Sequence, residues 1–157
     1  MTELSFELRP ARREDRAQIL ALAPATLAEF DFTFGTGSAS DAQLEGAPES
    51  FAPGALLEAV RGETLLGMAG LFPVGGDDWE LRKMFLAPAA RGQGLGQSLL
   101  DGCIELAREK NTKRIVLDTV DAMQRAIALH ERNGFVRDDS QMRASRCSRG
   151  YRLDLLR

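Results

Sequence analysis

The chain has 157 residues, 44% of them apolar and 27% charged, enough to bury one sizeable core and too few for two ordinary domains, so one domain over residues 1–157 is expected. The formal net charge is −3, from 20 basic and 23 acidic residues, which gives no electrostatic ground for a nucleic-acid or anionic-membrane partner. Two cysteines, Cys103 and Cys147, suggest no disulfide framework and fit a reducing cytoplasm. The N-terminal Met-Thr-Glu-Leu-Ser-Phe has no apolar run of signal length, and nowhere do roughly eighteen apolar residues follow one another. The reading is a soluble cytoplasmic protein.

Leu4, Phe6 and Leu8 alternate with polar residues as a half-buried strand does, and Pro10 marks the turn that follows. A helix is predicted from Arg12 to Ala23, stopping near Pro24. Phe30, Phe32 and Phe34 lead into Gly35–Gly54, rich in Gly, Ser, Ala and Pro, where loops and a short helix are expected. Ala55–Val60 and Leu65–Phe72, joined by Arg61, Gly62 and Glu63, read as a hairpin, with a turn over Pro73–Asp78. Trp79–Leu86 is a strand and Ala87–Gly94 a turn. Then comes the clearest helix: Leu95, Leu99, Leu100, Cys103, Ile104 and Ala107 recur at three- and four-residue steps, and Asn111 ends it. Ile115, Val116 and Leu117 suggest a strand covered on both faces, Ala122–Arg132 a second helix closed by Asn133 and Gly134, and Phe135–Val136 a further strand. After an arginine-rich stretch, Tyr151, Leu153 and Leu155 alternate as a last strand.

The segment Arg91-Gly92-Gln93-Gly94-Leu95-Gly96 stands between a strand and an amphipathic helix. Free backbone N–H groups at a helix start, the helix dipole and the lack of Cβ atoms suit a phosphate there, and Arg91 adds a positive charge. A nucleotide P-loop would need Gly-Lys-Ser/Thr, whereas Gln97 and Ser98 follow Gly96. A dinucleotide fold would place the turn after its first strand, yet several strands precede this one, and Asp118 fits the acidic ribose partner poorly.

Two stretches together resemble the GNAT superfamily of acyl-CoA-dependent N-acyltransferases. Glu80 to Pro88 leading into Arg91–Gly96 looks like its acyl-CoA motif, Arg/Gln-x-x-Gly-x-Gly/Ala; Ala126–Phe135 is similar to its helix ending in Leu-Tyr-x-x-x-Gly-Phe. The resemblance covers most of the chain and is weakest over Thr26–Gly54. It implies an α+β fold of mixed layers: a splayed, mostly antiparallel mixed sheet of six or seven strands with helices on both faces. It further implies acetyl-CoA as cosubstrate and no metal. The pantetheine would lie on backbone groups of Met84 and Leu86, and the pyrophosphate on Arg91, Gly92, Gln93, Gly94, Leu95, Gly96 and Gln97.

An amine of pKa near 10 is almost wholly protonated at pH 7, so freeing the nucleophile costs about 4 kcal/mol. Glu80 is the candidate base: strict alternation would put it on one face with Arg82, Met84 and Leu86, and the resemblance favours the same position. The competing reading is an ion pair with Arg82 that does nothing chemical. The N–H of Met84 or Phe85 is the candidate oxyanion donor. Where similar proteins carry a tyrosine as general acid, this chain has His130, its only histidine. As imidazolium it would make activity sensitive near pH 6 to 7; alternatively it is a core residue on the face of Met123 and Ile127.

Arg137, Arg143, Arg146, Arg149 and Arg152 cluster late in the chain. As a solvated face they are unremarkable; pointing inward, one or two would suit an acceptor with a carboxylate. Neither cysteine is a candidate nucleophile, which favours direct transfer in a ternary complex to the primary amine of a small amino-acid-like metabolite. The alternative is a non-catalytic acyl-CoA-binding or sensor module. The resemblance also raises the expectation of a homodimer.

Overall fold

A computed structural model describes residues 5–155. Leu4, read as part of the first strand, lies outside the described residues. Strands β1 (Glu7–Pro10), β2 (Ala55–Arg61), β3 (Thr64–Gly75), β4 (Asp78–Leu86), β5 (Arg114–Thr119), β6 (Val136–Arg137) and β7 (Arg149–Asp154) form one seven-stranded sheet in the order β1-β2-β3-β4-β5-β7-β6. Every neighbouring pair is antiparallel except β4 with β5.

Two apolar cores sandwich the sheet. Helix α2 (Leu95–Glu109) lays Leu95, Leu99, Leu100, Cys103 and Ala107 on one face, joined by Ile127 and Leu129 of α3 (Gln124–Arg132). On the other face α1 (Arg16–Ala28) packs Ile19, Ala23 and Leu27 with Leu44 and Phe51 from the 3-10 segments Ala39–Gly46 and Glu49–Phe51. Both later helices end in the same way. Asn111 at φ 57° and Gly134 at φ 92° take the left-handed position that reverses the chain. Thr112 N then donates to Ala107 O at 2.9 Å, and Phe135 N to His130 O at 3.1 Å, satisfying carbonyls a helix end would leave bare.

Three boundaries differ from expectation. The predicted first helix opens with a 3-10 turn at Arg13–Asp15, and α1 continues past Pro24 to Ala28. Proline forfeits one helical bond, but Leu27, buried at the far end, holds the last turn in the core. Strand β3 runs through Pro73, where it is paired by β4 alone: β2 begins opposite Leu71, whereas Pro73 still stands opposite Trp79. The arginine-rich stretch contributes β7 from Arg149 onward, two residues before Tyr151.

Strand β4 carries the feature that matters most for the site. Between the pairs Gly70–Arg82 and Met68–Phe85, Lys83 and Met84 stand against the single residue Ala69, a β-bulge with Lys83 at φ 58°. A non-glycine residue in that conformation costs about 1–2 kcal/mol. The bulge reverses the alternation, so Met84 and Leu86 join Leu81 on the α2 face while Lys83 and Phe85 share Glu80's face. The expected common face of Glu80, Met84 and Leu86 is thereby corrected.

Beneath the other face, Glu58 of β2 is fully buried, 3.5 Å from Arg9 and beside Asp15. Burial, reinforced by the Asp15 charge, pushes its carboxyl from 4.5 up to about 8. The folded protein therefore holds a proton that the unfolded chain releases, so this contribution to stability is complete below about pH 4.5 and disappears as pH rises through about 8. Glu58→Gln is expected to flatten that alkaline slope in urea unfolding followed from roughly pH 5 to 9; an unchanged slope would assign it to other groups.

Candidate active site

Strands β4 and β5 pair only from Asp78–Arg114 to Glu80–Val116. Beyond Glu80 they part, and a cavity of about 260 Å³ opens in the crevice, lined by Glu80, Arg82, Lys83 and Phe85 from β4, Asp118 from β5, and loop residues. Loop residues Arg143, Arg146 and Cys147 close one side and Ser38 to Ser40 the other.

Glu80 is 5% exposed, and one of its oxygens meets Arg82 Nη2 at 2.7 Å. The other, Oε2, is buried without a hydrogen bond, 3.7 Å from Arg143 Nη1. Burial raises the carboxyl above its ordinary 4.5; the Arg82 charge opposes the rise and the Asp118 charge adds to it. The Glu80–Arg82 ion pair foreseen from the sequence is therefore present, and it leaves the other carboxylate oxygen without a hydrogen bond in the cavity wall.

Asp41 assembles the cavity wall. Its carboxylate, 1% exposed, takes the Lys83 ammonium and both terminal nitrogens of Arg146, at 2.7 and 2.8 Å, and accepts the Gly35 N–H at 2.8 Å. Desolvation opposes ionisation, but these donors outweigh it and hold the carboxyl at about 2. Burial lowers the Lys83 pKa, and Asp41 works against that. One side chain thus ties the loop after α1 to the β4 bulge and to the loop before β7. Asp118 does related work, accepting the N–H of Arg143 at 2.6 Å and of Ala144 at 2.8 Å. Sequence reading had no purchase on Asp41 or Lys83, because one lies in an irregular segment and the other is aimed by a bulge.

His130 is brought to a different place. Its ring packs on Phe135, centroids 5.5 Å apart, which is the side-chain contact that accompanies the α3 end motif. It is 4% exposed, Nδ1 has no hydrogen-bond partner, and burial lowers its pKa to about 4. Of the two readings, burial disfavours the imidazolium, with its pH step between 6 and 7, and favours a core residue.

The glycine turn has the conformation a phosphate needs. Gly92 and Gly94 stand at φ 76° and 83°, nothing lies within 4 Å of where a Cβ would project at either, and Gly94 caps α2. Among the described residues the amides of Gly92, Gln93 and Gly94 meet no protein acceptor, and those of Leu95, Gly96 and Gln97 fall in the first turn of α2. The residues present fit a pyrophosphate. Two side chains have structural tasks instead: Arg91 forms a two-bonded ion pair with Glu29 at 2.6 and 2.8 Å and donates to Leu86 O at 3.0 Å, while Gln97 and Asn133 exchange amide hydrogen bonds at 2.8 and 3.0 Å, locking α2 to α3. Ala87 N donates to Leu66 O at 2.8 Å. By antiparallel alternation Phe85 then turns its backbone groups toward β3, whereas Met84 and Leu86 turn theirs toward the open crevice.

The acetyltransferase (GNAT) family model matches residues 21–135, and the chain belongs to that family. An uncharacterised N-acetyltransferase of Escherichia coli K12, YjgM, is 42% identical over 74 residues, a match covering 45% of this chain and 44% of that protein; the chain thus spans less than half the length of this relative. A GNAT-family acetyltransferase from Staphylococcus aureus Mu50 superposes with a TM-score of 0.86 over 97% of this chain and 100% of its own, at 20% identity. YncA from Salmonella typhimurium, solved with acetyl-CoA, gives 0.77 over 98% and 96%, at 19% identity. At such identities these two structures speak for the fold. No helix among the described residues is long and apolar enough to cross a membrane.

Because Asp41 alone compensates two enclosed cations, Asp41→Asn is expected to destabilise the protein by about 3–5 kcal/mol, read as a lower urea midpoint at unchanged slope. A wild-type midpoint would mean that water compensates Lys83 and Arg146 instead.

Proposed function

We propose that this chain is an acetyl-CoA-dependent N-acetyltransferase that acetylates the primary amine of a small amino-acid-like metabolite by direct transfer in a ternary complex. The observation that carries the reading is Glu80: a buried carboxylate with one oxygen unsatisfied, in the wall of a cavity that begins where β4 leaves β5. Bound acetyl-CoA supplies a thioester carbonyl. Glu80 accepts the proton of the acceptor ammonium, directly or through water, and its raised pKa brings it nearer to the amine it must serve. The Met84 N–H, turned to the crevice by strand alternation, is the donor for negative charge developing on the carbonyl oxygen; Phe85, turned to β3, is not. Gly92 to Gln97 hold the pyrophosphate through main-chain amides, and Arg91 supports the turn from behind.

Direct transfer is favoured by the state of both thiols: burial pushes Cys103 and Cys147 up to about 12, leaving no thiolate to carry an acyl group at neutral pH. His130 enters as a buried neutral ring with no extra proton to give. Protonation by solvent suffices, since a thiol of pKa roughly 8.5 is a fair leaving group. The cavity volume, about 260 Å³, lies near the small end of ligand sites and suits a small acceptor. A homodimer belongs to the same reading on the resemblance alone, and a cytoplasmic setting on the two free cysteines.

The test is calorimetric titration of acetyl-CoA into wild type, Gly94→Trp and Glu80→Gln, with thiol release over an amine panel. Expected are saturable binding lost in Gly94→Trp, and binding kept in Glu80→Gln with kcat lower by about 10²- to 10⁴-fold. Binding without turnover of any amine would identify the non-catalytic acyl-CoA module instead; no binding by folded protein would remove the acyltransferase reading.

His130→Phe is expected to retain at least about a tenth of wild-type kcat, and neither protein to show a kcat step between pH 6 and 7. A step present in wild type and absent in the variant would restore the imidazolium acid.

A further inference from the structure

Four cations line the cavity: Arg82, Lys83, Arg143 and Arg146. Three are already engaged by carboxylates at hydrogen-bonding distance, Arg82 by Glu80, and Lys83 and Arg146 by Asp41. Arg143 differs. Its Nη1 donates to Gln141 O at 3.0 Å, its nearest carboxylate oxygen is Glu80 Oε2 at 3.7 Å, and its Nε and Nη2 hold no hydrogen bond among the described residues. Its side chain is 39% exposed, whereas that of Arg146 is 10% exposed. Its backbone, by contrast, is pinned by Asp118.

The cavity therefore presents one free guanidinium edge beside one unsatisfied carboxylate oxygen. A ligand that satisfies both must bring an anion and a cation held equally close together. An α-amino acid carries its ammonium and its carboxylate on the same carbon, so the ammonium can face Glu80 Oε2 while the carboxylate lies on Arg143. A simple amine leaves the guanidinium unmatched, and an ω-amino acid separates the two charges by several bonds. A dianion would need a second cation free of a carboxylate partner, and Arg82, Lys83 and Arg146 are already engaged by Glu80 and Asp41.

We propose that the acceptor is an α-amino acid recognised through its carboxylate by Arg143, with Glu80 reading the ammonium that is to be acetylated. This rests on the acetyltransferase reading for its chemistry but not for its binding geometry. The side chain of the acceptor would extend past Ser38 and Ala144 toward the adjoining depression formed by Gly35, Gly37 and Ser145.

The experiment has a kinetic and a binding arm. Thiol release is followed with acetyl-CoA and each standard L-amino acid, beside its α-amide and its decarboxylated amine. In parallel the same compounds are titrated calorimetrically into protein saturated with coenzyme A, where no turnover occurs. For the amino acid that binds best, the free acid is expected to bind and react at least about 10-fold better than its amide and its amine. Arg143→Gln is expected to raise KM and Kd for the free acid by about 10- to 100-fold while leaving the amide within about twofold. Arg143→Lys should recover part of the loss. Acetyl-CoA affinity and the urea midpoint of Arg143→Gln report separately on the coenzyme site and the fold, and both are expected at wild-type values. Equal or better use of the amide or the amine, or an acid preference that survives Arg143→Gln, would overturn the inference, as would failure of every free amino acid to bind. Free-acid binding without turnover would overturn the transfer reading and leave this assignment standing.

Discussion

Strands β4 and β5 lie side by side for three residue pairs and then diverge, because nothing on the β5 side repeats the bond pattern that β3 offers β4 along almost its full length. A strand edge deep within a sheet normally has its polar groups paired; here Met84 turns its backbone groups and Leu86 its N–H into a crevice between two cores, while the Leu86 carbonyl is held by Arg91. Such an edge persists only if the elements beside it are fixed independently. The glycine turn and α2 are held by the α2 core stripe and by the Gln97–Asn133 amide pair, and α3 by its capping motif and Phe135. The open edge is thus the consequence of rigid neighbours, and a substrate that adds to it meets backbone groups already aligned.

The acceptor side obeys a different constraint, electrostatic rather than geometric. Enclosing Arg82, Lys83 and Arg146 would be costly unless each were given a carboxylate partner. Asp41 serves two at once, and in doing so it fixes the Lys83 side chain that the bulge turns into the cavity. Backbone strain at Lys83 and the buried ion network are one device: the bulge aims the ammonium, and the carboxylate holds it there. Glu80 shares in the arrangement, since Arg82 satisfies one oxygen and leaves the other buried without a hydrogen bond in the cavity wall.

How much of this was legible in the sequence follows from the range of the interactions. The apolar stripe of α2, the hairpin of β2 and β3, the glycine turn and Asn111 as a helix stop are set by periodicity or by single-residue conformational preference, and each stands where the sequence puts it. Glu80 was legible as a candidate, though the argument from alternation tied it to the wrong neighbours, because one inserted residue exchanges the faces of everything after it. Asp41 was not legible: its significance comes from Arg146, 105 residues away, and from Lys83, 42 away. The arginine cluster was visible, but only the tertiary fold separates Arg143, which no carboxylate holds at hydrogen-bonding distance, from Arg146, whose two terminal nitrogens both lie on Asp41.

His130 shows how a local rule can govern a residue that a motif marks as chemical. The end of α3 requires a side-chain contact between the residue three before the cap and the one that follows the left-handed glycine, here His130 and Phe135. That contact buries the ring, and burial disfavours its charged form. The lower the pKa falls, the less the ring can act as a proton store and the more it resembles an apolar plate with one polar edge. If transfer proceeds here with a neutral ring, the thioester's own leaving ability must carry the final proton step, and the demand on catalysis shifts to the first one, where Glu80 must take a proton from the amine. Burial of Glu80 answers that demand, for the same loss of solvent that silences His130 as an acid strengthens Glu80 as a base.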